Sequence, residues 1–388
     1  MSFGLDLRAD RRVFAGFAIY SFSMGNIFPR LPDIKRAMDI QEGALGLGLI
    51  GVPVGTLVSL TLAAPLLDKI GYRKSLLALI PLVALTYAIA VQATGPLGLF
   101  FLLIPVGLMI GGTEIILNVE ADRTEAQLGR RIMNRAHSFW SIGFFAAGMF
   151  GSLMALGGIP VQLHLAFVVV IAVIGTYYLL GTYQPAPARP LAEADAAPMF
   201  SMPTRPILLL VAVTLSAMLM EGASLDWSAI YMRSVFDSSA FVAGMAVATF
   251  AFFQATARFF VDSFVERYSP HGVAQALLVF MSVGLVLVVF SPGPAVSLPG
   301  FALLGLGTSA IFPLAISAAA QRTDRSASVN VAAVAQTSFV IFLLGPPLLG
   351  FIAEHLGLRY AYAVGIPLVV LSFFTSGALG KKPVPATV

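Results

Sequence analysis

The sequence predicts an all-α membrane protein with twelve transmembrane helices in two pseudo-symmetric six-helix bundles. Three observations carry this expectation. The 388 residues are 58% hydrophobic and only 11% charged, against about 25% charged in a soluble domain, and the mean hydropathy is +0.90. Apolar runs close to the ~20 residues needed to span a bilayer recur along the chain. Between the sixth and seventh runs, Gln184 to Arg205 is rich in Pro and Ala, has Glu193 and Asp195 as its acids, and lacks apolar periodicity. It reads as a linker, giving a division into residues 1–183, 184–205 and 206–388.

In chain order, the first span is Val13 to Pro29. Arg8, Arg11 and Arg12 lead straight into it with no small-residue cleavage site, so it reads as a retained span rather than a cleaved signal. Gly43 to Leu67, Leu76 to Ala93, Pro96 to Asn118, Met133 to Leu156 and Val161 to Tyr183 complete the first six. The second set is Pro206 to Met232, Ala240 to Phe264, Gly272 to Phe290, Ala295 to Ala320, Ser328 to Ala353 and Leu358 to Gly380. With the N-terminus inside, 18 of the 23 Lys and Arg residues fall on the inner side, and only Arg30, Lys35, Arg36, Arg233 and Arg359 fall outside. The positive-inside rule therefore places both termini in the cytoplasm.

Composition also narrows the chemistry. With no cysteine there is no disulfide framework, thiolate nucleophile or palmitoylation site. No His-Glu-x-x-His or Gly-x-Ser-x-Gly pattern supports an intramembrane enzyme, and no Gly-x-x-x-x-Gly-Lys loop supports ATP drive. The four histidines are scattered far from the carboxylates, so neither a metal site nor a cofactor is expected. The net charge of +4 is small for the length and gives no nucleic-acid footprint. Short loops argue against a sensor.

The halves echo each other. Gly112-Thr113-Glu114 recurs as Gly307-Thr308-Ser309, Asp68 as Asp262, and Ser138 and Gly151 as Thr337 and Gly350, at offsets of 195, 194 and 199. Two six-helix repeats around a midplane site form a secondary-transporter architecture.

Within that frame, the stretch Met220-Glu221-Gly222-Ala223-Ser224-Leu225-Asp226-Trp227-Ser228 puts two carboxylates into the seventh span. An ionisable group at membrane depth costs at least ~2.5 kcal/mol and marks a functional site by default. At 100° per residue, Thr214, Ala217, Glu221, Ser224, Ser228 and Tyr231 share a stripe, with Asp226 about 140° from Glu221. Glu221 is thus expected to face a water-filled cavity and Asp226 something else, unless Gly222 loosens the helix. The competing reading makes Glu221 a buried partner of a basic residue. Trp227 reads as an interfacial anchor.

In span four, Glu114 and Asn118 share a face with Gly107 and Gly111. Small residues there either permit close helix approach or leave room for a solute. Ser309 is the repeat equivalent of Glu114, and Met24 that of Glu221, so the acids lie outside the duplicated scaffold. In span one, Asn26 is expected to line the cavity, with Arg30 an outer-gate charge or a snorkelling side chain. His137 opens span five after a basic loop, where it can be structural or a proton relay. His164, His271 and His355 at span ends carry no expected role.

The connection Ala64-Pro65-Leu66-Leu67-Asp68-Lys69-Ile70-Gly71-Tyr72-Arg73-Lys74 resembles the signature loop between spans two and three of the major facilitator superfamily. It departs at Ala64, where the family has Gly, and at Tyr72, where a basic residue is usual. Asp68 sits at a helix C-terminus, where the dipole disfavours an anion, and Arg73 is within reach across the turn. The resemblance implies that Asp68 and Arg73 belong to a cytoplasmic gate, with Arg258 and Asp262 as a weaker copy. Pro29-Arg30-Leu31-Pro32-Asp33-Ile34-Lys35, Gly129-Arg130-Arg131-Ile132-Met133-Asn134-Arg135-Ala136-His137-Ser138 and Leu343-Leu344-Gly345-Pro346-Pro347-Leu348-Leu349-Gly350-Phe351 resemble the MosC-like branch, named for rhizopine transport. No Arg occurs between Pro96 and Glu120, and no Pro between Ser141 and Gly151, which counts against a drug/proton antiporter.

The expectation is a monomeric inner-membrane transporter, coupled to protons, that moves a small hydrophilic solute of sugar, polyol or amino-inositol type by alternating access. The alternative is a proton-driven exporter of amphipathic compounds on the same fold.

Overall fold

The structure, a computed structural model, describes residues 5–130, 132–187 and 201–380. Arg131, Arg189, Lys381, Lys382 and the middle of the linker, with Glu193 and Asp195, lie outside the described residues. Among the described residues, eleven helices are long and apolar enough to cross a membrane. They are Glu42–Leu62, Tyr72–Ala90, Pro96–Leu128, Met133–Leu156 and Val161–Leu180 in the first half. The second half supplies Arg205–Asp226, Ala240–Arg267, Pro270–Val289, Pro294–Ala320, Val329–Leu356 and Leu358–Leu379. The twelfth, span one, is Ala9–Gly25, 17 residues long, and continues through the turn Phe28–Arg30 into Leu31–Met38. Span two similarly runs on into Ala64–Ile70.

Local chemistry sets several ends. Ser239 accepts from the Val242 amide and Ser269 from the Gly272 amide, each satisfying a helix-start donor that the helix itself leaves free. Gly71 and Gly357, at φ 90° and 99°, make turns that a Cβ would oppose. Span seven breaks at Trp227, where the second helix Ser228–Phe236 begins, while Gly222 stays helical. Span ten breaks between Thr308 and Ile311. The second pieces of spans one and seven end on Asp39 and Asp237, the two non-glycine residues with positive φ among the described residues. They are 198 positions apart, close to the repeat offsets.

Small residues let the helices approach. Gly107 packs on the backbone of Val52, Gly55 and Thr56 in span two, and Gly111 packs on Ser59. Of the two roles open for this stripe, close helix contact is the one realised. Spans five and eight join the halves along their whole length. Gly148 lies on Ala248, and Gly244 on Ser152 and Pro29, while nearer the termini both Asp262 oxygens accept from Asn134 at 2.5 and 2.6 Å. Spans two and eleven meet at one end only. Gly46 lies on the Pro346 carbonyl, Gly350 lies on the Glu42 carbonyl, and the Gly43 amide donates to Glu354 at 2.9 Å. Span eleven packs against Glu42–Leu49 and barely touches Gly51–Leu62, so the two helices part toward the face that carries the termini.

Candidate functional site

A cavity of about 530 Å³ lies between the halves, lined by spans one, two, three, four, five, seven and eleven. Most of its wall is apolar or aromatic, with Tyr20, Phe28, Tyr87, Trp140, Phe339 and Phe342 prominent. Four of the sequence-predicted residues reach it: Glu114, Asn118, Glu221 and Asp226.

Span four positions the first pair. Glu114 accepts from the Tyr20 hydroxyl at 3.0 Å and from the Asn118 amide at 3.1 Å. Asn118 in turn meets His137 Nε2 at 3.3 Å, and that ring packs on Phe17 with centroids 5.0 Å apart. Tyr20, Glu114, Asn118 and His137 thus form one chain of neutral donors and acceptors around a carboxyl group, all within the first half.

Glu221 is held differently. Arg258 Nη2 lies 3.2 Å from its Oε1, and the same guanidinium donates to the Ser309 carbonyl at 3.0 Å and to Ser141 Oγ at 3.2 Å. It also lies 6.0 Å from the Trp140 ring centroid. One cation therefore ties spans seven, eight and ten to span five of the other half. The two side chains keep only 15% and 17% exposure, so the pair is strong yet not sealed from the cavity. Arg258 sits inside span eight, which runs unbroken as Ala240–Arg267, and not in a cytoplasmic connection as the charge count assumes. The Ser309 hydroxyl turns back to Leu306 at 2.7 Å, so Ser309 serves the site through its carbonyl.

Asp226, expected to face elsewhere, reaches the cavity too. The cavity wraps round span seven from Glu221 through Gly222 and Leu225 to Asp226, so the exposed arc is the ~140° between the two acids. Asp226 makes no hydrogen bond or ion pair to another described side chain. The predicted polar stripe is instead buried. Thr214 meets Ser338 at 3.0 Å, and Ser224 is fully buried with its hydroxyl unpartnered. Trp227 is not an interfacial anchor: it is 1% exposed and its ring packs against Gly350.

Other expectations need correction. Asn26 does not line the cavity; it donates to the Phe22 carbonyl at 2.7 Å and meets His164 Nε2 at 3.0 Å. Arg30 neither snorkels nor bridges the halves. It pairs with Asp33 at 2.7 Å and donates to the Ile159 carbonyl at 2.8 Å, with His164 at 3.5 Å. All its partners belong to the first half, because the helix break after Gly25 turns this segment back on the loop between spans five and six. Arg73 donates to the Gly181 carbonyl at 2.6 Å and forms no ion pair with Asp68, which is exposed. The turn at Gly71 starts span three at once and carries Arg73 toward the end of span six.

Sequence reasoning missed Tyr20, Tyr87 and His164. Tyr20 carried a signal, since a tyrosine in mid-span has left the interfacial belts where this residue collects.

Twelve helices in two halves around a cavity with buried acids define a membrane transporter of the secondary type. The Major Facilitator Superfamily profile matches residues 13–341 and 209–387, and the chain belongs to that superfamily. An uncharacterized transporter, y4wD of Sinorhizobium fredii, is 27% identical over 91% of this chain and 93% of its own. Membrane protein MosC of Rhizobium meliloti is 24% identical over 92% and 87%, which bears out the resemblance to that branch. A mutant form of the nucleoside transporter NupG shares the fold, with a TM-score of 0.72 at 13% identity over 96% of this chain and 100% of that one.

Proposed function

We propose that the protein is a proton-coupled secondary transporter that carries a small organic solute across the inner membrane by alternating access. Residues 1–183 and 206–388 rock about the central cavity, the protein works as a monomer, and both termini are cytoplasmic. The observation that carries the coupling is Arg258, which joins Glu221 to Ser141 of the opposite half. Protonating Glu221 removes the anion that holds the guanidinium, and Arg258 is then free to release or shift its contact across the halves. A proton on one side chain thereby changes the energy of the interface that has to move.

The charge asymmetry of the loops supports the sidedness, even with Arg258 and the buried Arg30 set aside. On that orientation the cavity opens to the cytoplasm and is closed outside, where Gly46 meets Pro346 and Glu42 meets Gly350. Asp68 and Arg73, apart here, fit a cytoplasmic gate disengaged on the open side. Asn134 and Asp262 form the inner clasp that remains.

The test is uptake into reconstituted vesicles under an imposed pH gradient, screened over polyols and amines. Glu221→Gln keeps the shape and removes the titration, so exchange down equal gradients survives while accumulation driven by the pH gradient is lost. A Glu221→Gln variant that still concentrates its solute with normal proton stoichiometry would sink the assignment.

A further inference from the structure

The same cavity carries information about what it accepts, provided it is the solute site proposed above. A sugar or polyol presents hydroxyls all round its ring, and each must find a partner once buried. Here most of the partners are already taken. The Tyr20 hydroxyl and the Asn118 amide are spent on Glu114, the Asn118 oxygen lies against His137, Thr56 donates to the Gly107 carbonyl at 3.2 Å, and Glu221 is held by Arg258. The rest of the wall is aliphatic or aromatic. What is left without a protein partner is one carboxylate, Asp226, with two donors on aromatic rings, the Trp140 indole N–H and the Tyr87 hydroxyl.

Among the described residues, no Lys or Arg lines the cavity. The Arg258 guanidinium, which reaches the wall at Glu221, is matched by that carboxylate. The ionisable groups on the wall that lack a counter-ion are therefore acids, Glu114 and Asp226. A cation entering a low-dielectric cleft that holds such an acid and a largely aromatic wall is attracted twice over, by Coulomb interaction with the carboxylate it stabilises and through the ring quadrupoles.

We propose that the solute is an amphipathic organic cation, an ammonium group seated on Asp226 with its apolar body against the aromatic wall, and not a neutral polyol. Asp226 then sets charge specificity, while the Glu221–Arg258 pair responds to protons. The two acids of span seven, five residues apart, serve separate tasks.

The experiment is equilibrium binding of radiolabelled benzyltrimethylammonium to the purified full chain in detergent. Phenylmethanesulfonate, of the same shape and opposite charge, and myo-inositol serve as competitors. The cation should bind at least tenfold more tightly than either competitor. Asp226→Asn should weaken it at least tenfold, and Asp226→Glu should keep it within about threefold. Because Asp226 has no protein partner, its variants should elute and melt like the parent; should Asp226→Asn fail to fold, Asp226→Glu and the charge-sign pair decide. Displacement of the cation by myo-inositol at lower concentration, equal binding of the sulfonate, or undiminished binding to folded Asp226→Asn would overturn the proposal.

Counterflow in vesicles separates this from the transport reading. A cation that binds through Asp226 but is never exchanged defeats transport and leaves the cation site standing. Accumulation of a polyol driven by a pH gradient, with no cation binding, does the reverse.

Discussion

Spans one and seven open the two halves of the chain, and both are broken helices whose second pieces, Leu31–Met38 and Ser228–Phe236, end on a left-handed aspartate. At the break in span one, Asn26 and Arg30 are consumed by His164, Asp33 and a backbone carbonyl inside the first half. At the break in span seven, Asp226 keeps no partner and looks into the cavity. The acids nearer the middle differ in the same sense. Glu114 sits among neutral donors of its own half, whereas Glu221 is held by a guanidinium that also grips the other half. What was duplicated is the backbone device; what was not is the ionic chemistry. The ion pair at the cavity therefore belongs to the second half, while the first supplies most of the wall.

Substitutions put this contrast to the test. The largest effect should come from Arg258→Met, which strands the Glu221 carboxylate in a poorly solvated site. Losing one partner of a buried pair costs about 3–5 kcal/mol, and the residual exposure of this one brings the expectation to about 3 kcal/mol. Thermal melting in detergent measures it, and a loss no larger than that of a neutral hydrogen bond would erase the distinction between the halves.

A smaller loss is expected from Tyr20→Phe, which deletes one donor to Glu114 and leaves Asn118 in place. Hydrogen bonds between membrane helices are worth about 0.6–1.7 kcal/mol, so the same melt should shift by about 1 kcal/mol. If Tyr20→Phe proves as damaging as Arg258→Met, then Glu114 is as strongly held as Glu221 and the asymmetry fails. Ser224→Ala should do least. Its hydroxyl is buried and unpartnered, and removing it should move stability by less than about 0.5 kcal/mol with transport retained. A transport-dead Ser224→Ala variant would restore the polar stripe that the wheel suggested.

How far the sequence could be read depended on the range of the interaction involved. The helices were legible because hydropathy and span length are local properties, and each of the eleven long helices overlaps a predicted run. The ends were less so. Gly222 looked like the weak point of span seven, yet the break falls at Trp227, whose ring is drawn into a contact with Gly350, 123 positions away. The signature loop was recognised, but which carbonyl Arg73 would meet depended on where span six ends.

Composition and spacing are enough to establish that this chain crosses the membrane repeatedly, that it has two related halves, and that Glu114, Asn118, Glu221 and Asp226 are out of place in lipid. Burial of backbone polar groups and the cost of an isolated charge act residue by residue, so composition and spacing suffice to announce them. Only the tertiary structure decided which acid meets Arg258, which meets Tyr20, and which meets nothing. Partner choice rests on side chains brought together from helices far apart in sequence, and a helical wheel records the direction of a side chain without recording what waits there.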